Sequence, residues 1–384
     1  MQLSVIILNY NVAHFLELCI RSVQKAVLGM QAEIIVVDNN STDNSSAMMR
    51  EQFPELRYIA NTENYGFPKG NNMGVEYAQG EYLCILNPDT VVGEDTFKQI
   101  YAFTAKNPDC GIVGCRLIDG AGKFLPESKR GVPTPWVAFT KVSGLGKVFS
   151  KSPWFNRYYA QHLHESQTGP TAILVGAFMW LKRELYLEVG GFDEDCFMYS
   201  DDIDLSYMIL KKNKVNYYYA DTTVIHFKGE STLKDETFRN RFQEAMQFFY
   251  RKHFKKSLLF DGMMKLGTIY FAFVKQNTSG AKSVSPEQYY LLSDCEELRQ
   301  RIADKTNREI TALSSIAQLK STLKQKRGIY TEIIFDGDFV SNKALISLMR
   351  EESSRFITFK IKPSQSAFLI GSNNRNDRGQ IIPL

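Results

Sequence analysis

The chain opens on a rhythm of short apolar runs closed by polar clusters. LSVIIL, rich in branched side chains, ends at NYN, and apolar positions at helical spacing follow over residues 13–28. EIIVVD ends at the turn-forming NNSTDNSS before another short helix. Then come LRYIA, a polar loop NTENYGFPKGNN, a helix over residues 73–78, the strand EYLCILN and a helix over residues 95–105. Strands that alternate with helices specify a mostly parallel sheet covered on both faces. The ligand crevice of such a sheet lies beyond the carboxyl ends of its strands. NYN, DNNSTD and NPDT fall at those ends, so these polar clusters are expected around one cleft.

Over residues 120–169 the periodicity fades into Gly, Pro, Trp and basic residues, including PESKRGVPTPW, which predicts a long loop-rich insertion beside the cleft. TAILVGAFMWLKRELY gives a strand and the start of a helix, GGFDEDCFMYSDDIDLSYMILKKN runs from a turn into an acidic helix start, and NYYYADTTVIHF predicts two closing strands. A helix over residues 235–254 carries an aromatic stripe that reads as core packing. RKHFKKSLLFDGMMKLGTIYFAFVK joins a basic cluster to an apolar stretch of about seventeen residues broken by Asp261 and Lys265. A spanning helix needs about twenty apolar residues, so a transmembrane segment is excluded. Two readings of this stretch stand: an amphipathic helix on an anionic membrane surface, or a helix packed on the preceding domain.

QNTSGAKSVSPEQ has the small polar residues of a linker. Beyond it, residues 287–325 read as one or two helices, followed by EIIFDGDF, a helix over residues 343–350, FITFKIK, AFLIGS and the polar NNRNDRG. The division expected is a first domain over residues 1–230, a helical segment over 231–276 that lies on a membrane surface in one of its two readings, a linker over 277–285 and a small α/β domain over 286–384.

Composition narrows the function. With 44% hydrophobic residues in 384, the chain has enough to bury for globular domains and is not a disordered tail. Forty-six basic against 42 acidic residues leave only +4, which argues against nucleic-acid binding through phosphate counterion release. Six cysteines are scattered among apolar neighbours without a CxxC pair, as reduced and mostly buried thiols are. MQLSVIILNYN has neither a basic leader nor a cleavage site, so a cytoplasmic location is expected. No GxGxxG follows a strand and no GxxxxGK[ST] occurs, which sets aside a nicotinamide dehydrogenase and a P-loop enzyme.

The remaining chemistry is polar and strand-borne. Asn9, Asp38 and Asp89 stand at the ends of the early strands, Asp201, Asp202 and Asp204 cluster in SDDIDL, and His226 sits on a late strand. Together these are the parts of a site for a metal and a diphosphate. The segments SVIILNYN, IIVVDNNSTD, NYGFPKGNNMG, YLCILNPDT, VGAFMWLKR, GGFDEDCFMYSDDIDLSYM and TVIHFKGES, in that order over residues 3–231, resemble family 2 of the inverting glycosyltransferases, in particular its bacterial rhamnosyltransferase-like members. The resemblance implies a GT-A type nucleotide-diphospho-sugar transferase fold, a Rossmann-like, mostly parallel α/β sheet. It leaves the last third of the chain uncovered.

By position, the resemblance places Tyr10, Asp38 and the adjacent Asn39 at the nucleotide base and ribose. A carboxylate can accept the imide N–H of a uracil or thymine ring, which suits a UDP or dTDP sugar; an Asx-turn ahead of the next helix is the other reading of Asp38. Lys69 would meet the diphosphate, or else be solvated. NPDT stands where the family has its acidic metal motif. Asn87 and Pro88 leave Asp89 as its one carboxylate and the expected metal ligand, with Asn87 among the donor-binding residues and His226 as the further ligand of Mg²⁺ or Mn²⁺. GAFMW would lie under the acceptor, unless Phe178 and Trp180 are plain core. Asp202 is implied as the general base that takes a proton from the acceptor hydroxyl, while Asp201 and Asp204 cap and brace the helix. The expected partners are a nucleotide sugar and a glycan or lipid-linked acceptor, with no nucleic acid; peripheral membrane contact and an oligomer are compatible with the sequence. Two other classes compete. One is a catalytically silent nucleotide- or sugar-binding module on the same fold, which the reduced NPD motif suggests and Asp202 with His226 opposes. The other is a nucleotidyltransferase, which needs a glycine-rich basic loop near the first strand that NYNVAH lacks.

Overall fold

In the computed structural model the described residues are 1–134, 136–137, 140, 158–160, 162–228, 236–254, 285–326, 328–373 and 379–384. The first sheet has nine strands: β1 (Leu3–Asn9), β2 (Ala32–Asp38), β3 (Arg57–Ala60), β4 (Tyr82–Leu86), β5 (Thr90–Val91), β6 (Cys110–Ile118), β7 (Gly169–Pro170), β8 (Phe178–Lys182) and β9 (Val215–His226). Their order is β3-β2-β1-β4-β8-β6-β9-β5, with β7 paired to β9. β3, β2, β1 and β4 are parallel, β8 is antiparallel to both its neighbours, and β5 closes the edge antiparallel to β9. Alternate residues of β1 feed opposite cores: Leu3, Val5 and Ile7 on one face, Ile6 and Leu8 on the other. Both faces of the sheet are covered, as the unbroken apolar strands require.

Helix α1 (Ala13–Ala26) leaves β1, and α2 (Ser45–Gln52) leaves β2. Helix α3 spans Gly66–Glu76, so it starts well before the expected 73–78 and takes in most of the stretch read as a loop. Pro68 lies in its first turn, where a missing N–H breaks no helical bond, and Asn64 Oδ1 accepts the Gly66 N–H at 3.0 Å. Gly70 and Gly74 face the sheet closely. A Cβ on Gly70 would stand 2.4 Å from Leu8 Cδ1, and one on Gly74 2.6 Å from Ile6 Cγ2. Helices α4 (Thr96–Lys106), α5 (Arg183–Glu188), α6 (Asp201–Lys211) and α7 (Glu236–His253) follow. The expected pair of strands in NYYYADTTVIHF is one strand, β9: a register shift between Cys115 and Arg116 of β6 absorbs the polar ADTT without a turn.

The aromatic stripe of α7 is core, with Phe249 and Tyr250 buried against Ile173, Ile203 and Tyr207. At its end Lys252 bonds Asp193 at 2.5 Å and Asp204 at 2.8 Å, and His253 also bonds Asp204. Part of the basic cluster is therefore spent inside the protein. The apolar stretch that follows and the expected linker lie outside the described residues, as do Arg375 and Arg378 of NNRNDRG. Among the described residues no helix is long and apolar enough to cross a membrane. All six cysteines are free, with only Cys295 exposed; burial pushes the Cys19 thiol up to about 12.

The second sheet begins earlier than the helices expected over 287–325. It contains β10 (Gln288–Leu292), β11 (Thr311–Leu313), β12 (Thr331–Asp336), β13 (Ile357–Lys362), β14 (Phe368–Gly371) and β15 (Gln380–Pro383), in the order β11-β10-β12-β13-β14-β15. Helices α8 (Glu296–Thr306), α9 (Ile316–Gln325) and α10 (Asn342–Glu351) connect the parallel strands. QYYLL and TAL are too short to show a period, and the long charged helices between them mask them in the sequence. This unit shares a core with the first. Val12 just before α1, Phe15 and Leu18 of α1, Val91 of β5, and Ile225 and Phe227 of the β9 end pack with Leu292, Phe335, Leu345, Ile346 and Met349. Burial of each such side chain contributes about 1.5–3 kcal/mol. Polar ties border it: Glu94 accepts the Asn342 and Lys343 N–H groups at 2.6 and 2.8 Å, and Lys25 Nζ donates to Gly337 O at 2.7 Å. In β10 and β12, whose connections run to opposite sides of the sheet, Ser293 and Asp336 meet at 2.8 Å at the carboxyl ends. α1 runs beside the carboxyl ends of β12 and β13, where Leu18, Arg21, Ser22 and Lys25 face Gly337, Asn342, Ile361 and Pro363.

Candidate active site

Parallel pairing sets Asn9 opposite Asp38 at the ends of β1 and β2. Asn9 Nδ2 donates to Asp38 Oδ1 at 2.6 Å, while Ser41 gives the same carboxylate its N–H at 2.8 Å and its hydroxyl at 2.7 Å. The Ser41 N–H lies three residues on rather than the two of an Asx-turn, so Asp38 ties down the loop ahead of α2. A carboxylate has about four acceptor sites, and three bonds leave room for one more donor. Asn39, 2% exposed, is tied on every side: Nδ2 donates to Gly66 O at 3.0 Å and Asn64 Oδ1 at 3.3 Å, and Oδ1 accepts from Asn61 at 2.9 Å. It fastens the 61–66 loop to the strand end. Tyr10 stands on the rim, 40% exposed, next to Asn11 in the left-handed region at φ +57°. Lys69 is exposed on α3 with Nζ 4.5 Å above the Tyr65 ring, a cation–π contact at the edge of the same loop.

A second cluster forms where β4 ends and β5 pairs with β9. Thr90 is the register partner of His226, which brings NPDT and VIHF together from 139 residues apart. His226 Nε2 lies 3.3 Å from Asp89 Oδ1 and 3.3 Å from Asn87 Nδ2. Burial would raise the Asp89 pKa, but His226 and the N–H groups of Asp89 and Lys228 outweigh it, so the carboxyl lies below its ordinary value. Asn87 Oδ1 and His226 Nδ1 are buried without a partner, a costly state that an occupant would relieve. A half-turn of the Asn87 amide presents an oxygen beside the carboxylate and imidazole. Ligand atoms about 2.1 Å from an octahedral cation lie about 3 Å apart, close to the separations here. The donor set thus fits a hard divalent ion, although no group of three His, Cys, Asp or Glu side chains forms a metal cage among the described residues.

Asp202 sits in the first turn of α6. Its Oδ2 accepts from Arg130 Nη2 at 2.5 Å and from Gly176 N at 3.1 Å, while Oδ1 is buried with no partner. Gly176 links the clusters: the next residue, Ala177, accepts the Asn87 N–H at 3.1 Å. Asp202 and Asn87 therefore flank one dipeptide. Asp201 is also buried, and burial together with the adjacent Asp202 raises its carboxyl to about 7. Asp204 braces, as expected, through Lys252 and His253. Phe178 and Trp180 are plain core, buried and stacked on Phe97.

Arg130, which burial disfavours but Asp202 holds strongly protonated, was not expected as a site residue. Its signal was faint: a basic pair, KR, inside an insertion with no periodicity. Glu127 was missed for the same reason; its ion-pair partner Lys228 lies in the quoted TVIHFKGES, where only His226 was singled out.

Residues 4–190 match the family model described as glycosyl transferase family 2, a stretch that holds Tyr10 to Asp89 and ends before Asp202 and His226. The N-acetylglucosaminyl-diphospho-decaprenol L-rhamnosyltransferase of Mycobacterium tuberculosis is 25% identical over 244 residues, 61% of this chain and 78% of that protein. Rhamnosyltransferase WbbL of Escherichia coli is 24% identical over 238 residues, 59% of this chain and 86% of that protein. Among solved structures, the mannosyltransferase from Pyrobaculum calidifontis in complex with GDP-Man and Mn²⁺ is similar at a TM-score of 0.49 and 19% identity, covering 73% of this chain and 76% of that one.

Proposed function

We propose that this chain, a glycosyltransferase whose residues 4–190 belong to glycosyl transferase family 2, moves a sugar with inversion from a nucleotide-diphosphate donor to a glycan or lipid-linked acceptor. The observation that carries the reading is the Gly176–Ala177 dipeptide, which holds Asp202 on one side and Asn87, with Asp89 and His226, on the other. The α/β sheet supplies the donor cleft, with Tyr10 on the rim and the fourth acceptor site of Asp38 free for a UDP or dTDP base. Asp89 and His226, with Asn87, would hold Mg²⁺ or Mn²⁺. When bound, the cation neutralises the leaving diphosphate.

Asp202 Oδ1 has an unused lone pair and takes the proton of the acceptor hydroxyl, whose oxygen attacks the anomeric carbon as the bond to the diphosphate breaks. One displacement inverts the centre, and no covalent enzyme intermediate forms. Arg130 acts through Asp202 as a positioning residue: it fixes Oδ2 and so aims Oδ1. The diphospho-decaprenol in the name of the Mycobacterium tuberculosis relative favours a lipid-linked acceptor, and such an acceptor would be met at the cytoplasmic membrane face. Residues 1–230 form the catalytic domain in this reading, 231–276 its approach to the membrane surface, 277–285 a linker and 286–384 an accessory domain.

The test is calorimetric titration of the full chain with nucleoside diphosphates and nucleotide sugars, with and without Mn²⁺, beside Asp89→Ala and Asp202→Asn. Metal-dependent binding of UDP or dTDP, lost in Asp89→Ala and kept in Asp202→Asn, is expected, with transfer abolished in both. Nucleotide binding in the native chain without transfer to any lipid-linked glycan would favour the silent module instead.

A further inference from the structure

The Glu127–Lys228 ion pair stands beside the metal-binding cluster, and nothing in the proposed mechanism uses it. Lys228 is two residues past His226. Its N–H helps hold the Asp89 carboxylate, and the preceding Phe227 N–H donates to Asp89 O at 3.0 Å. Its backbone is left-handed, φ +58°, a conformation a lysine keeps only where its surroundings impose it and one that collects at functional sites. The side chain therefore leaves the strand end in a fixed direction, next to the residues that would meet a diphosphate. There its ammonium is paired with Glu127.

Glu127 is held firmly. It belongs to the single turn Pro126–Ser128, where Ser128 Oγ donates to Leu125 O at 2.6 Å and accepts the Leu117 N–H at 3.2 Å. The lysine and glutamate side chains are 28% and 20% exposed, so water reaches the pair and its partners can exchange. Arg130, the nearby guanidinium, is committed to Asp202. A doubly charged leaving group needs a cation that can move to it, and Lys228 is placed to supply one.

We propose that this pair is a latch on the donor site: in the empty protein Glu127 occupies Lys228, and the donor diphosphate displaces Glu127 and takes the ammonium. The exchange rests on the donor reading above. It spares the empty site from setting an ammonium against the divalent ion, and it releases the Pro126–Ser128 turn at the start of the insertion as the donor enters. Phosphate oxygens outcompete one carboxylate because they carry more charge and more acceptor atoms.

The experiment is calorimetric titration of the full-length protein with UDP and dTDP in Mn²⁺, for the native chain, Glu127→Gln, Lys228→Met, Lys228→Arg and Lys228→Gly. Glu127→Gln should bind about fivefold tighter, since the competing partner is gone. Lys228→Met should bind about tenfold weaker, and Lys228→Arg should restore most of the loss. Lys228→Gly separates charge from fold: glycine accepts the positive φ, so the protein melts normally while affinity falls as in Lys228→Met. If Glu127→Gln weakens binding, or Lys228→Gly leaves it unchanged, the pair only braces the insertion and the latch is overturned. If the native chain binds neither nucleotide, the donor reading itself fails and takes the latch with it.

Discussion

Asp201 and Asp202 are two of the three buried aspartates in the first turn of α6, and their different partners give them different behaviour. Asp202 has Arg130; Asp201 has no cation at bonding distance among the described residues, and burial and its charged neighbour raise its carboxyl from 3.8 to about 7. The folded protein thus binds this proton more tightly than the unfolded chain. Its contribution to stability is complete below the unfolded value and is lost as pH rises through about 7. Asp201→Asn removes the titration, so its thermal midpoint relative to the native protein should climb between about pH 5 and about pH 8, by the equivalent of on the order of 2 kcal/mol. Scanning calorimetry at the two pH values decides it; a constant difference would mean that Asp201 is charged throughout. The acidic cluster was plain in SDDIDL. The partners of its members were not, because Arg130, Gly176 and Lys252 reach it from distant segments that no local pattern connects.

Elements differ in how openly they announce themselves. β1, β2 and β4 are largely apolar runs, legible because both faces are buried, and the polar residues at their ends that form the candidate site were legible with them. α3 was hidden by its own packing solution. The glycines and proline that read as loop are what let the helix lie against Leu8 and Ile6, and a propensity scale penalises the very residues the contact requires. Gly74→Ala should cost about 1–3 kcal/mol, as overpacking does, and push the helix from the sheet along with the 61–66 loop that Asn39 anchors. Urea unfolding measures the loss. An unchanged midpoint would show that Ile6 and Val37 can yield. β9 was misread in the other direction: ADTT looks like a turn, yet its outward Asp221 and inward Ala220 keep the alternation of a strand.

At the largest scale, the described residues form two sheets and a helix that serves both. α1 turns Leu16, Cys19, Ile20 and Val23 to the first sheet and Phe15 and Leu18 to the second. Its sequence, apolar around more than one stripe, carried that message, but a helix flanked by two strands is naturally assigned to one sheet. Ending the chain after residue 285 would strip the cover from Val12, Phe15, Leu18, Val91, Ile225 and Phe227. We expect the shortened protein to melt well below the full chain or to aggregate, and the full chain to unfold in one transition by calorimetry. Two separate transitions, the first unaltered by truncation, would contradict the shared core. For anyone recombining such enzymes, the seam is not where the linker suggests. The first helix of the chain packs Phe15 and Leu18 into the core of the second sheet, so a graft that exchanges only the C-terminal half leaves the new half without the surface it was shaped to grip. The transferable module is discontinuous: it consists of that half together with α1 and the β5 edge.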